Sequence, residues 1–282
     1  MKIVIFGNSF KKSTAEEVAH ILEYMSHRGV EVMLSKEIRD EMNLRESYPL
    51  FSEDTTEQLD FAISVGGDGT FLTTAAHIGP RNIPILGINC GRLGFLSEVQ
   101  TTEVDRILDQ LVSNDYTIEQ RTVLKMTPSA DVFSGMPYAL NEIAVMKQEL
   151  SSMISVETTV NGELLNTYHA DGLVISTPTG STAYNLSVGG PLVSPQAKVL
   201  ILSPIATHSL NVRPLVIPDD CKIDLRVRSR SQSYLTSLDG RSCTLRESIL
   251  LHIEKAPYTI KLVKLGERTF FDSLKTKLAW GV

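Results

Sequence analysis

The stretch that most limits how this chain can fold is 61–78. An apolar run, Phe61–Val65, passes directly into Gly66-Gly67-Asp68-Gly69-Thr70 and then into a helical pattern, Phe71–Ile78. A strand that turns through glycines into a helix is the building block of an open α/β sheet. The flanking sequence repeats the theme. Lys2–Phe6 reads as a strand ending at Gly7-Asn8. A helix follows over Thr14–Arg28, with Ala15, Val18, Ile21, Leu22 and Met25 on one face and Gly29 as its stop. Val30–Leu34 and Ile83–Ile88 are further strands, and Glu103–Leu111 a further helix. Strands separated by helices predict a parallel sheet with helices on its faces.

Beyond residue 118 the pattern changes. Short β-like runs dominate: Val123–Thr127, Ile143–Met146, Ile154–Val160, Leu173–Ser176, Val199–Leu202, Ile223–Arg228, Ser248–Ile253 and Tyr258–Lys264. Asn161-Gly162 and Asp239-Gly240 are turn signals among them. The expected organisation is an α/β domain over 1–118 and a mostly β domain over 119–267. The closing segment, 268–282, is expected to pack back on the first domain.

Composition narrows the function. The formal net charge is -6 across 282 residues, with no dense Lys/Arg run, which speaks against a nucleic-acid partner. No apolar run is long enough for a membrane span. The N-terminal MKIVIFGNSF reads as a buried strand, without the features of a signal peptide. Cys90, Cys221 and Cys243 are odd in number and form no CxxC pair, which fits structural thiols in a reducing compartment. The expected location is the cytosol.

Two clusters carry chemistry. In Gly66–Thr70 the glycines let the backbone approach a phosphate, and the helix N-terminus favours anions. A carboxylate among phosphates needs a task. Asp68 either meets Mg²⁺, accepts the proton of an attacking hydroxyl, or caps a tight turn. The motif is neither a Walker A loop nor GxGxxG. The second cluster runs from Asp171 through Ser187 to Gly189-Gly190-Pro191, where a strand ends in a loop dense in hydroxyls and glycines. Such a loop offers donors to hydroxyls and phosphates without net charge. A solvent loop would not interleave Pro, Gly, Tyr and Ala so tightly after a buried strand.

Together, Gly66–Thr70 and Asp171–Asn185 resemble the two signatures of the NAD kinase family, and Asn141-Glu142 resembles its intervening Asn-Glu pair. The likeness extends through Gly87-Ile88-Asn89, Leu93-Gly94-Phe95-Leu96, Arg213–Ile217 and Thr276-Lys277-Leu278. The first signature is shared with diacylglycerol and sphingosine kinases and, more loosely, phosphofructokinases. The second is close to diagnostic. The resemblance implies a Rossmann-like, phosphofructokinase- and diacylglycerol-kinase-like first domain and an NAD-binding β domain. It implies transfer of the ATP γ-phosphate to the adenosine 2′-hydroxyl of NAD, with Mg²⁺, in a homodimer or homotetramer. Asp68 would be the general base, with Gly69 beside it. Asn141 and Glu142 would contact the nucleoside, and Asp171 the NAD hydroxyls. Thr182, Ala183, Tyr184, Asn185, Leu186 and Ser187 would line the pocket, with Tyr184 available for stacking.

Four positions depart from the family pattern. Ala170 and Val188 stand where Gly and Ala are common, and Arg241 stands where Gln is expected. His169 holds a place often taken by Arg, and strand alternation predicts that its ring shares the ligand side with Asp171. A His changes charge in the physiological range where an Arg does not. His20 and His27 read as surface histidines, and Lys11-Lys12 as a solvated pair or a phosphate contact. His208 reads as either functional or a core hydrogen-bonding residue. Two other functions fit parts of the pattern. A lipid or sugar kinase explains Gly66–Thr70 but not Asp171–Ser187. A non-catalytic NAD-binding protein would have no use for Asp68.

Overall fold

Four strands pair in parallel in the order Glu31–Leu34, Lys2–Gly7, Phe61–Gly66, Ile85–Asn89. Every residue of the last two is buried, as expected where helices cover both faces. The helix Lys12–Ser26 turns Val18, Ile21, Leu22 and Met25 inward, and Gly29, in the left-handed region at φ 66°, follows its end. The helix Val104–Val112 does the same with Val104, Ile107, Leu108 and Leu111. A short helix, Lys36–Glu41, was not anticipated. It buries only Ile38, too little to leave a periodic signal. The helix Phe270–Leu278 opens on a capping box: Asp272 N–H donates to Thr269 Oγ1, and Thr269 N–H donates to the Asp272 carboxylate.

The structure, a computed structural model, describes residues 1–7, 12–45, 47–52, 54–91, 94–97, 99–130, 136–149, 152–266 and 268–281. The chain divides into two compact units, Met1–Gln120 with Ile260–Val282, and Arg121–Thr259. The division after residue 259 falls earlier than the expected 268. Ser248–Ile253 and Tyr258–Lys264, expected as two strands, form one strand, Leu250–Lys264. Its far end enters the parallel sheet, with Leu262 paired to Ile85. Pro257, which lacks an N–H, makes the sequence read as interrupted there.

The second unit holds two antiparallel sheets. One runs Leu215–Pro218, Val199–Ile205, Gly172–Ser176, Glu142–Met146, Ser233–Leu238, Arg241–Arg246. The other pairs Glu163–Ala170, Ile154–Val160 and Ile223–Arg228 with the first part of Leu250–Lys264. Leu173, Ile175 and Leu202 from the first sheet meet Val156, Leu225 and Leu251 from the second in one core. Asn161-Gly162 and Asp239-Gly240 turn the hairpins with positive φ at both positions, as two-residue hairpin loops require. The strands Glu163–Ala170, Ser233–Leu238 and Arg241–Arg246 were not anticipated. Among the described residues no helix is long and apolar enough to cross a membrane.

Candidate active site

In the first unit, the strand Phe61–Gly66 ends against Thr70. A Cβ on Gly66 would lie 2.3 Å from Thr70 Oγ1. Gly67 is the N-cap, and Asp68 is the first residue of the helix Asp68–Ile78. The Asp68 carboxylate accepts three backbone hydrogen bonds, from Phe95 N–H (2.7 Å), Leu96 N–H (2.9 Å) and Ser97 N–H (3.0 Å). Gly94 must be glycine here, because a Cβ would fall 1.8 Å from Asp68 Oδ1. The segment 94–97 is thus wrapped around the carboxylate. Asn89 Nδ2 donates to Ser97 O at 3.3 Å, and the Lys277 ammonium sits 4.2 Å from the centre of the Phe95 ring. Three of the flagged segments, Gly87–Asn89, Leu93–Leu96 (of which Leu93 lies outside the described residues) and Thr276–Leu278, therefore converge on the loop that holds Asp68. Beside it, Gly67, Gly69 and Thr70 line a cleft of about 490 Å³ together with Gly7, Ser35 and Glu37. No atom lies within 4 Å of a Cβ built on Gly67 or Gly69, so packing does not demand glycine there. Lys11 lies outside the described residues. Lys12 is exposed and pairs with Glu16 at 3.6 Å.

In the second unit, Asp239 does for Asn141-Glu142 what Asp68 does for 95–97. Its carboxylate accepts N–H donors from Leu140 (2.6 Å), Asn141 (2.8 Å) and Glu142 (3.1 Å). Burial pushes the Asp239 carboxyl up, against those three N–H groups and Arg241, which lower it. Glu142 is pushed up to about 8, first by burial and then by the charge of Asp239, with a backbone hydrogen bond from Tyr184 opposing. Asn141 Oδ1, a buried acceptor, and the buried Glu142 Oε2 have no protein partner. Such atoms are costly unless a ligand donor meets them. Arg241, left open by the sequence, donates to the carbonyls of Leu238, Met136 and Tyr138. It is a backbone tie.

The hydroxyl-rich loop requires a correction. Its hydroxyls are largely engaged within the protein rather than offered outward. Thr177 Oγ1 donates to Leu140 O at 2.6 Å, Ser176 Oγ to Thr177 O at 2.9 Å, and Ser181 Oγ to Val193 O at 3.2 Å. Asn185 is fully buried. Its amide donates to Ser181 O and Pro191 O, and its Oδ1 accepts from Ser203 Oγ at 2.6 Å. Thr182 Oγ1 donates to Thr179 O. Gly180 packs so closely that a Cβ would lie 2.2 Å from Asn141 O. The side chains thus shape the loop and seat it on Asn141. Ala183, Tyr184 and Leu186 are half-buried, and Ser187 is exposed. The Tyr184 hydroxyl reaches Met146 Sδ at 3.7 Å.

Asp171 is half-buried and paired with Lys147 at 2.7 Å. Sequence reasoning missed Lys147, which stands just past the strand Glu142–Met146 with no motif around it. His169 lies between the buried Tyr168 and Ala170 and is itself exposed, its Nδ1 2.9 Å from Ser155 Oγ. His208 is also exposed, which removes the core reading; its N–H donates to His169 O at 2.9 Å. His20 is a surface residue 2.7 Å from Asp105. The three cysteines are free thiols.

The N-terminal domain model of ATP-NAD kinase matches residues 3–116, and the C-terminal domain model matches 140–265. The NAD kinase of Bacteroides fragilis is 46% identical over 286 residues, covering 100% of this chain and 98% of the relative. That of Flavobacterium psychrophilum is 40% identical, with 100% and 98% covered. A yeast NADH kinase complexed with NADH shares the fold, with a TM-score of 0.89 at 24% identity over 100% of this chain and 88% of that one. An NAD kinase from Archaeoglobus fulgidus in complex with ATP gives a TM-score of 0.76 at 28% identity, covering 99% of both chains. With a family model on each part of the chain and full-length relatives at this identity, the chain belongs to the NAD kinase family of phosphotransferases, which phosphorylate NAD to NADP with ATP.

Proposed function

We propose that this chain transfers the ATP γ-phosphate to the adenosine 2′-hydroxyl of NAD, with Asp68 taking the hydroxyl proton. The observation that carries this role is the fixed carboxylate. Three N–H groups occupy three of its roughly four lone-pair positions, so about one remains for a substrate hydroxyl. The open backbone at Gly67–Thr70, at a helix N-terminus, suits phosphates. The unpartnered Asn141 Oδ1 suits a donor of the NAD nucleoside, the unpartnered Glu142 Oε2 suits another of its polar atoms, and Asp171 suits its hydroxyls. Gly69, Thr182–Ser187 and the exposed imidazole of His169 complete the assignment. The divalent ion is read as part of the Mg²⁺-ATP substrate. Among the described residues no three His, Cys, Asp or Glu side chains form a metal cluster, and Mg²⁺ commonly relies on substrate phosphates with one or two carboxylates. Transfer then rests on positioning and charge neutralisation.

NADP formation, measured with ATP, Mg²⁺ and NAD together and with each omitted, tests the reading. Activity requiring all three supports it. ATP consumption independent of NAD would make the chain a lipid or sugar kinase, and NAD binding without turnover would make it a binding protein. The same reading gives a homodimer or homotetramer in the cytosol. Sedimentation of the purified chain as a monomer would refute the assembly.

A further inference from the structure

The cleft of about 490 Å³ in the first unit is built on the carboxyl ends of three adjacent parallel strands. Lys2–Gly7 lies between Glu31–Leu34 and Phe61–Gly66, so Gly7 is flanked by Ser35 on one side and Gly67 on the other. Two strand spacings separate the outer ends, about 10 Å. The two sides differ in chemistry. Gly67 and Gly69 offer open backbone at the N-terminus of the helix Asp68–Ile78, which suits phosphates. The far side offers the carboxylates of Glu37 and Glu41, one turn apart on Lys36–Glu41 and both in the cleft wall. Both are exposed, and neither makes a hydrogen bond or ion pair among the described residues. Ser35 stands beside them in the wall, 3% exposed, and its buried Oγ has no partner. A buried hydroxyl left bare is costly unless a ligand meets it. An ionised carboxylate only accepts hydrogen bonds. A deprotonated phosphate chain likewise has nothing to donate, so this side calls for hydroxyls.

We propose that Glu37, with Glu41 and Ser35, binds the ribose hydroxyls of the donor nucleotide and so selects a nucleoside triphosphate over inorganic polyphosphate. The inference rests on the phosphate corner read above at Gly67–Thr70. A diphosphate with its ribose bridges the interval between the two sides, whereas a lone phosphate occupies one of them. Each ribose hydroxyl donates to a carboxylate and can also accept from Ser35 Oγ. An inorganic chain running on past Gly7 meets two acceptors and satisfies neither.

The test uses ADP as the probe, on the full chain with Mg²⁺ and saturating NAD, because ADP fills the donor side without turnover. Calorimetry should show ADP binding about tenfold or more tighter than 2′-deoxy-ADP or 3′-deoxy-ADP, the scale of a hydrogen bond to a charged group. Inosine diphosphate should bind like ADP. Glu37→Gln with Glu41→Gln should narrow the preference for ADP and strengthen pyrophosphate, because each amide adds donors. Ser35→Ala should weaken ADP by about fivefold, the scale of a neutral hydrogen bond, and leave pyrophosphate as it was. Absent ADP binding, equal affinity for ADP and both deoxy forms, or a preference that the double variant keeps would overturn the proposal. A loss seen with inosine diphosphate instead of the deoxy forms would mean that the carboxylates read the adenine amino group, and would overturn it too. The expected preference in a chain that forms no NADP would sink the kinase reading and leave the ribose site standing. NADP formation without the preference would do the reverse.

Discussion

Asp68 and Asp239 use one device in two places. Each carboxylate accepts N–H donors from three consecutive residues, 95–97 for Asp68 and 140–142 for Asp239. The surroundings differ. Asp68 opens a helix, where the peptide dipoles favour a negative charge. Asp239 is desolvated, and its charge raises the cost of ionising the neighbouring carboxyl, Glu142. The first clasp presents its own carboxylate to chemistry. The second presents the residues it holds, Asn141 and Glu142. A clasp of this kind therefore does not reveal by itself which partner is functional; the neighbours do.

The largest expected effect separates the two roles. Asp68→Asn should lower kcat by about 10² to 10⁴, the usual contribution of a positioned general base, with KM for NAD little changed. Because the amide also replaces an acceptor facing Phe95 N–H, amide exchange at 95–97 should be followed alongside. A variant keeping more than a tenth of wild-type kcat would remove Asp68 as the base. If kcat and KM shifted together as 95–97 lost protection, its role would be that of a clasp only.

Next in size is Asp171→Ala, which should weaken NAD binding by roughly 1.5–3 kcal/mol, the scale of a hydrogen bond to a charged group. Lys147→Met should change it by under about 1 kcal/mol, because the pair is part-exposed. Calorimetry with unchanged affinity in Asp171→Ala would remove that residue from the site. A larger loss in Lys147→Met than in Asp171→Ala would make the lysine the true contact.

The two clasps can also be strained one at a time. Gly94→Ala places a Cβ 1.8 Å from Asp68 Oδ1, and Gly180→Ala places one 2.2 Å from Asn141 O. Overpacking of this kind costs about 1–3 kcal/mol of stability. Denaturant midpoints should fall in both variants, while kcat drops mainly in the first and KM for NAD rises mainly in the second. The same kinetic signature in both would dissolve the distinction.

Much of this molecule is readable in its sequence where burial is one-sided or complete. Phe61–Gly66, apolar throughout, and Val104–Val112, with its inward face at helical spacing, leave patterns that local reasoning detects. Lys36–Glu41 buries one residue, and Glu163–Ala170 is mostly exposed at a sheet edge, so neither leaves a clear period. Residue type and spacing single out Asp68 and the cluster opening at Asp171, and the family resemblance adds Asn141 and Glu142. What holds them is not local. Asp239 meets Leu140 across a separation of 99 residues, and Lys147 meets Asp171 from a neighbouring strand end. The hydroxyls of 176–185 show the opposite error. Their composition suggests ligand donors, but a loop this buried must satisfy its own carbonyls first.

The smallest effect concerns Glu142 and pH. Its carboxyl is pushed up to about 8 by burial, then by the charge of Asp239, with the backbone hydrogen bond from Tyr184 opposing. A folded-state value above the unfolded one means the folded chain holds the proton to higher pH. The stability it contributes is fully present below the unfolded value of 4.5 and is lost as pH rises through about 8. Wild-type thermal midpoints should therefore decline between about pH 5 and about pH 8.5, by a few degrees if on the order of 1 kcal/mol is lost. Glu142→Gln keeps the shape and cannot ionise, so its midpoint should decline less over that window. Asp239 works against a clean result, since its carboxyl is raised too and the two titrate as a pair. The double variant Glu142→Gln, Asp239→Asn resolves this. If Glu142 is the group that loses its proton near pH 8, the single variant removes most of the decline and the double variant little more. If midpoints in wild type and Glu142→Gln fall in parallel, the decline belongs to other groups and Glu142 is already ionised at pH 5 in the folded chain.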